Sequence, residues 1–378
     1  MTGSRRTPDR DSEGRIRVLF AVADMGGGGA ERAVSNYLKE LDRARFEPGL
    51  CLWRPVYRYG VPPDVPVWIM RKWSVWQLPG ASLRTAGLLR GWRPDVVFSH
   101  LRYVNLSVGV ALLLSGLRCG WIPCIQNNPE NRDALLNTRL LVPFLRRANR
   151  ICTVSRGIGE RIVERFNIPG DRLRTLYNPM DLGEVDRALA GGSREEFSIP
   201  TVVTMGRLAE QKDHRTLLEA VARVREQRRL RLVILGEGAL RVELQELARE
   251  LGIERDVEFR GFLQNPFPTL AAADVFVLSS RWEGFGNALV EAMATGTACI
   301  STRCPFGPGE IIDHDRTGLL VPVGDAPAMA EAIDRLLGDD PLRRRLAEAG
   351  RADVRRRFSV ERQTRILEGL LEESTGAP

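Results

Sequence analysis

Two doubly wound α/β domains, each a Rossmann-like parallel sheet and both facing a cleft, are the fold class that this sequence predicts. Three observations carry it. Apolar runs of strand length, at 16–22, 201–206 and 274–280, alternate with amphipathic helical stretches. Glycine-rich or polar turns follow the runs where a parallel strand hands on to a helix, as at 26–29 and 236–238. The 378 residues also exceed one ordinary core and suit two.

Residues 1–14 are polar and charged and are expected to be disordered. A first domain, 15–180, opens with the strand 16–22, the turn Asp24-Met25-Gly26-Gly27-Gly28-Gly29 and a helix over 33–41 with apolar Ala33, Val34, Tyr37, Leu38 and Leu41. The turn departs from G-x-G-x-x-G because Glu31 stands at the third glycine position. A P-loop Gly-Lys-Ser/Thr is also missing, so no dinucleotide or ATP site is expected. Gly28 and Gly29 either let a ligand approach bare backbone or form a flexible turn. Strands at 93–100 and 120–126 end in His100 and in Gln126-Asn127-Asn128; His100 reads as a base or as a structural hydrogen-bonder. Residues 68–76 mix three tryptophans with Arg71 and Lys72. That composition suits a lipid headgroup boundary, which the basic and apolar 139–147 could join, or ordinary core tryptophans beside solvated cations. A strand at 150–155 and an extended piece at 176–181, broken by Pro179, close the domain.

Residues 182–200 read as linker and surface loop. A second domain, 181–355, begins with the strand 201–206 and a helix from His214, then continues with strands at 231–238, 257–263, 274–280, 298–302 and 318–323. The closing helix, 360–371, lies in a C-terminal segment, 356–378, expected to pack back on the first domain.

The chemistry concentrates in the second domain. The loop Arg281-Trp282-Glu283-Gly284-Phe285-Gly286 follows the strand 274–280, and a helix opens behind it with Asn287 as its expected N-cap and Ala288 in the first turn. The first-turn amides then form an anion site, flanked by Glu283 and Glu291, whose carboxylates suit ligand hydroxyls. A capped helix with two solvated glutamates is the plainer reading. Arg207 and Lys212 bracket another strand-to-helix loop and make a phosphate clamp if they face Glu283. Of 55 basic residues only Lys39, Lys72 and Lys212 are lysines, so a lysine in a loop stands out. The net charge of +7 comes from arginines spread along the chain with no nucleic-acid recognition motif. The six cysteines lack paired or metal-ligand spacing and read as reduced core residues, and no metal site is assigned. No signal peptide is read, and the longest apolar run, 108–114, falls far short of the roughly 20 residues of a membrane span. A cytoplasmic protein, or one peripheral at a membrane, is expected.

These motifs resemble glycosyltransferase family 4, the retaining GT-B glycosyltransferases, over most of the chain. The second domain carries the likeness best, through Gly206-Arg207-Leu208-Ala209-Glu210-Gln211-Lys212, Leu235-Gly236-Glu237-Gly238, the Glu283 to Met293 stretch and Asp315 to Val321. The resemblance implies that Arg207 and Lys212 hold the donor's diphosphate, Glu291 the ribose hydroxyls and Glu283 the hydroxyls of the transferred sugar. Phe285, Gly286, Asn287 and Ala288 belong to the same donor motif, and Gly28 and Gly29 cap the phosphates from the first domain. Gly236, Gly238 and Phe262 border the pocket that sets base and sugar. Many relatives carry a histidine where this chain has Gln126; Asn127 beside it is a candidate partner of the donor sugar. The segment Cys304-Pro305-Phe306-Gly307-Pro308-Gly309-Glu310 looks like subgroups that add hexoses or amino sugars to undecaprenyl-diphosphate-linked glycans. The implied activity is a metal-independent transfer from a nucleotide sugar, a UDP-sugar for preference, to a lipid-linked glycan acceptor at the inner membrane face. Cofactor is implied to be none. A pyridoxal-dependent phosphorylase, a nucleotide-sugar epimerase and a non-catalytic nucleotide-sugar-binding module are the competing readings.

Overall fold

The computed structural model describes residues 14–72, 74–126, 132–191 and 195–375. The chain divides into two compact units, one made of the chain up to Pro179 together with everything from Val360 onward, the other of Met180–Ser359.

The first unit is built on seven strands: β1 (Ile16–Val22), β2 (Phe46–Leu52), β3 (Val67–Ile69), β4 (Val96–His100), β5 (Gly120–Ile125), β6 (Ile151–Thr153) and β7 (Leu173–Thr175). They pair in parallel in the order β3-β2-β1-β4-β5-β6-β7, so the direction of winding reverses between β1 and β4. Residues 18–22 and 96–98 are fully buried, as expected for strands covered by helices on both faces. The sequence pattern marks no strand at β2, because Pro48 and Gly49 sit inside it and read as breakers. Gly49 has a packing reason: a Cβ there would lie 2.7 Å from the Trp68 ring, which packs at a tilt against Trp92. The helix Val360–Glu373 belongs to this unit, where Glu368 accepts the Asp42 amide at 3.0 Å and Leu367, Leu370 and Leu371 are buried beside it.

The second unit carries β8 (Thr201–Met205), β9 (Arg231–Leu235), β10 (Val257–Gly261), β11 (Val275–Leu278), β12 (Ala298–Thr302) and β13 (Leu319–Val321). Their order, β10-β9-β8-β11-β12-β13, is again all parallel, with the reversal between β8 and β11. Two expectations are corrected here. The stretch 182–200 is not all linker, since Asp181 accepts the Glu184 amide at 2.8 Å and caps a helix over Leu182–Ala190. The first helix of the chain starts at Gly29 rather than Ala33, with Gly28 at its N-cap.

Candidate active site

Ligands of doubly wound sheets bind beyond the carboxyl ends of the strands, where winding reverses. In the second unit that point lies between the loops after β8 and β11, the two loops that hold Arg207, Lys212 and Glu283. The loops are stitched together. The Arg281 amide donates to the Gln211 carbonyl at 2.8 Å, the Gln211 side-chain amide donates to the Trp282 carbonyl at 3.0 Å, and Ser279 Oγ donates to the Lys212 carbonyl at 2.7 Å. Asp213, in the left-handed region at φ 45°, turns the chain into the helix His214–Arg225, and its buried carboxylate takes Thr216 Oγ1 and the Arg281 guanidinium.

Within this frame Lys212 Nζ donates to Glu283 Oε1 at 2.5 Å, and Ser280 Oγ donates to the same oxygen at 2.7 Å. Thr302 Oγ1 in turn donates to the Ser280 carbonyl at 2.5 Å. Both members of the ion pair are largely buried, with 14% and 8% of their side chains exposed. A buried pair is held where its other donors and acceptors are satisfied; here Ser280 and Thr302, which sequence spacing did not single out, provide that support. Arg207 is exposed and donates to Gln211 Oε1 at 3.1 Å, its guanidinium lying along its own loop. The structure therefore brings Lys212 and Glu283 into direct contact and leaves Arg207 as the more exposed cation on the same loop.

Glycines let the neighbouring loops close up. A Cβ on Gly236, whose φ is +142°, would stand 2.0 Å from the Gly206 carbonyl oxygen, and one on Gly238 would stand 2.3 Å from that of Leu208. Phe262, just past β10, is exposed. On the other side, Gly286 at φ +112° is the N-cap of the helix Asn287–Thr295, correcting the assignment of that role to Asn287, which is the first helical residue with Ala288 after it. Only glycine enters this conformation without steric cost, which is why the cap falls there. Phe285 is buried with its ring edge-on to Phe358 at 5.4 Å, so its side chain packs while its backbone forms the loop. Glu291 is buried in the second turn of the same helix.

In the first unit Gly28 and Gly29 open the helix Gly29–Glu40, and the Glu31 carboxylate folds back over Gly28. Burial pushes that carboxyl above its usual pKa. His100 is fully buried at the end of β4; the Gln126 amide lies 2.8 Å from its Nδ1, and burial lowers its pKa to about 3. Full burial and the Gln126 partner favour the structural hydrogen-bonder over the base among the two readings of His100. Gln126 thus serves as the partner of His100. Asn127 lies outside the described residues, as does Trp73. Trp68 packs against Trp92, whereas Trp76 is 92% exposed, so residues 68–76 do not act as one surface.

All six cysteines are buried and unpaired, and burial pushes the Cys119, Cys124 and Cys304 thiols up to about 12, which makes them poor nucleophiles. The reading that no Asp-x-Asp pair is visible is corrected among the described residues by Asp313-His314-Asp315. Its carboxylates pair with Arg316 and Arg335, and no group of three or more potential ligands among the described residues could hold a metal ion.

Comparison with known proteins follows the same division. The signature of glycosyl transferases group 1 matches residues 199–339, and that of Glycosyltransferase Family 4 matches residues 27–184. Over 342 residues, 85% of this chain and 90% of the relative, the sequence is 30% identical to the N-acetylgalactosamine-N,N'-diacetylbacillosaminyl-diphospho-undecaprenol 4-alpha-N-acetylgalactosaminyltransferase of Campylobacter jejuni. It is 34% identical over 296 residues, 72% of this chain and 84% of the relative, to the lipopolysaccharide core biosynthesis glycosyltransferase LpsE of Rhizobium meliloti. Among solved structures, Anabaena HepE in complex with UDP and glucose superposes with a TM-score of 0.80 at 20% identity, covering 95% of this chain and 100% of that one. Sucrose-phosphate synthase of Thermosynechococcus elongatus does so at 0.81, with 20% identity and coverage of 95% and 99%. Both share the fold of two parallel-sheet α/β domains characteristic of GT-B enzymes.

Proposed function

This chain belongs to glycosyltransferase family 4 and is a glycosyltransferase, and from that premise we propose that it transfers a hexose or amino sugar from a nucleotide sugar, with UDP as the carrier, to a lipid-linked glycan in cell-surface polysaccharide assembly. The observation that carries the reading is the Lys212–Glu283 pair at the reversal point of the second sheet. Departure of a nucleoside diphosphate builds negative charge on the leaving oxygen, and fixed donors aimed at that charge lower the barrier. An ammonium has three donor hydrogens. With one directed to Glu283, Lys212 keeps others for a phosphate, while Arg207 swings in from its exposed position and the opening of the helix Asn287–Thr295 adds its dipole. Glu283, held by Ser280, takes hydroxyls of the sugar and Glu291 those of the ribose.

This arrangement supplies positive charge from side chains and needs no divalent ion. Retention of anomeric configuration is carried over from the family resemblance, and for a retaining transfer a set with no activated nucleophile favours same-face attack over a covalent intermediate. The lipid-linked acceptor rests on the likeness to the Campylobacter enzyme, whose name specifies a diphospho-undecaprenol acceptor, and to the lipopolysaccharide enzyme LpsE. Among the described residues no helix is long and apolar enough to cross a membrane; contact with the inner face of the membrane is then peripheral, with Trp76 on the outside of the first unit. Transfer from UDP-sugars is tested in EDTA with the wild type and with Lys212→Ala and Glu283→Ala. The expected result is turnover that survives chelation and falls by about a hundredfold or more in each variant. Wild-type rates in both variants would remove these residues from the mechanism.

A further inference from the structure

The positive charge of this chain is gathered in one stretch of the first unit. Residues 71–150 hold 12 of the 55 basic residues and 3 of the 48 acidic ones, a surplus of nine that exceeds the net +7 of the whole chain, so the remainder is slightly acidic. Three helices of that stretch, Leu78–Trp92, Arg102–Ser115 and Arg132–Leu145, follow β3, β4 and β5, whose crossovers all step in one direction across the sheet. Right-handed crossovers therefore put them on one face, opposite the helix Gly29–Glu40 that follows β1. They form a single layer. Ser82 Oγ lies 2.9 Å from Ser107 Oγ between the first two, and Arg90 Nε donates to the Ser115 carbonyl at 3.2 Å. The Phe144 ring of the third packs so closely on Gly109 of the second that a Cβ there would lie 2.8 Å from it.

The outer side of this layer is basic and apolar at once. Leu83, Leu113 and Leu140, one from each helix, are more than half exposed, and the exposed Trp76 stands just before the first helix. Arg84, Arg90, Arg118 and Arg147 are exposed too, and among the described residues none of them meets a carboxylate. The acids of the neighbouring elements are taken up elsewhere. Asp95 is buried and accepts the Arg17 amide at 2.8 Å, and Glu373, on the helix Val360–Glu373, pairs with Arg150 at 3.3 Å. Glu164 pairs with Arg161 at 3.0 Å on the helix Arg156–Phe166, where Glu160 also stands, so the surplus of cations ends at that helix. The side chains of Glu130 and Asp133 lie outside the described residues, and the surplus of nine already counts both. An ordinary solvated face intersperses both signs of charge. Single exposed leucines are normal, but one on each helix of a packed layer, set among arginines, makes a continuous amphipathic surface. Arginine stems lie along apolar material while their heads reach outward, and tryptophan favours the level of lipid headgroups.

We propose that this helical layer docks the first unit on a bilayer with anionic headgroups, its leucines entering the headgroup boundary and its arginines meeting lipid phosphates. The inference rests on the reading of the chain as acting on a lipid-linked acceptor and names the surface that brings it to the lipid. Sedimentation of the full chain with two kinds of vesicle tests it, phosphatidylcholine alone and phosphatidylcholine with phosphatidylglycerol in equal parts, beside calorimetric titration with UDP. The chain should sediment with the anionic vesicles and hardly with the neutral ones, and added salt should release it. The double variant Arg118→Gln/Arg147→Gln should weaken anionic-vesicle binding by about tenfold or more, since each cation near an anionic leaflet is worth about fivefold. Leu83→Ser/Leu113→Ser should weaken it by about tenfold or more as well. All four side chains are exposed, so both variants should melt with the wild type and bind UDP within about twofold of it. Sedimentation with neither kind of vesicle, or equally with both, overturns the proposal. Loss on the arginine change with none on the leucine change overturns the bilayer in favour of a soluble polyanion. A wild-type chain that binds UDP but no vesicle sinks this surface and spares the proposed transfer, whereas one that docks on vesicles yet binds no nucleotide sugar does the reverse.

Discussion

Lys212 and Glu283 hold each other in the donor-free protein, so a change to either has two effects that must be told apart. Removing the ammonium leaves a buried carboxylate with the Ser280 hydroxyl as a donor, and breaking a buried pair commonly costs about 3 kcal/mol or more. The double variant Lys212→Met/Glu283→Gln has no such orphan. Its unfolding free energy should return to within about 1 kcal/mol of wild type while transfer stays down by about a hundredfold or more, measured by denaturant melts and initial rates. Recovery of both together would make the pair structural only. Two buried histidines set a second residue-scale expectation. His100 and His214 have pKa values lowered to about 3 and about 4 by burial, against about 6.5 in an unfolded chain. Between those values the unfolded state binds the extra proton, so stability falls as pH drops. Each ring should cost about 2 kcal/mol on going from pH 7 to pH 5, and His100→Leu should remove its share of that pH dependence.

At the scale of elements, the site depends on how closely the loops after β8 and β9 approach. Gly236 combines φ +142° with a neighbouring carbonyl oxygen 2.0 Å from the point a Cβ would occupy, and backbone cannot swing aside. Gly236→Ala should therefore displace the 206–212 loop, lower the melting temperature and abolish UDP binding. Gly28 differs: its φ is −87° and the obstacle to a Cβ is the tip of the Glu31 side chain at 2.2 Å, which can rotate. Gly28→Ala should melt within about 1 kcal/mol of wild type. Titration of both variants with UDP, beside thermal melts, checks the contrast. Comparable destabilisation by the two would show that close approach is not what the Gly236 loop requires.

For the whole molecule, the notable feature is that the first unit is completed by the far end of the chain. Val360, Leu367, Leu370 and Leu371 are buried in it, and burying each such side chain is worth about 1.5–3 kcal/mol. Ion pairs from Arg45 to Glu368 and from Arg150 to Glu373 fasten the same helix. Deleting residues 360–378 should thus unfold the first unit, whereas residues 180–359 keep their own core around β8, β11 and the helices that cover them. Six of the seven tryptophans lie before residue 180 and Trp282 lies after it, so emission reports chiefly on the first unit. The truncated chain should show red-shifted emission yet retain UDP binding; native emission would contradict this account.

Periodicity and turn chemistry were enough to read most strands of the second unit, the loops that carry Arg207, Lys212 and Glu283, and the helix after Gly286, because each is a local property of the chain. β2 and the helix Leu182–Ala190 escaped, since Pro48, Gly49 and a charged, glycine-flanked stretch look like breakers until the packing that accepts them is known. Types and order of residues thus determined the fold class and the family by themselves. Only tertiary structure decided that Lys212 meets Glu283, that Ser280 fixes the same oxygen, and that His100 is paired with Gln126. Apart from the short Ser280–Glu283 link, those contacts join residues 26 to 71 positions apart, and winding order and burial, which no local pattern encodes, bring them together.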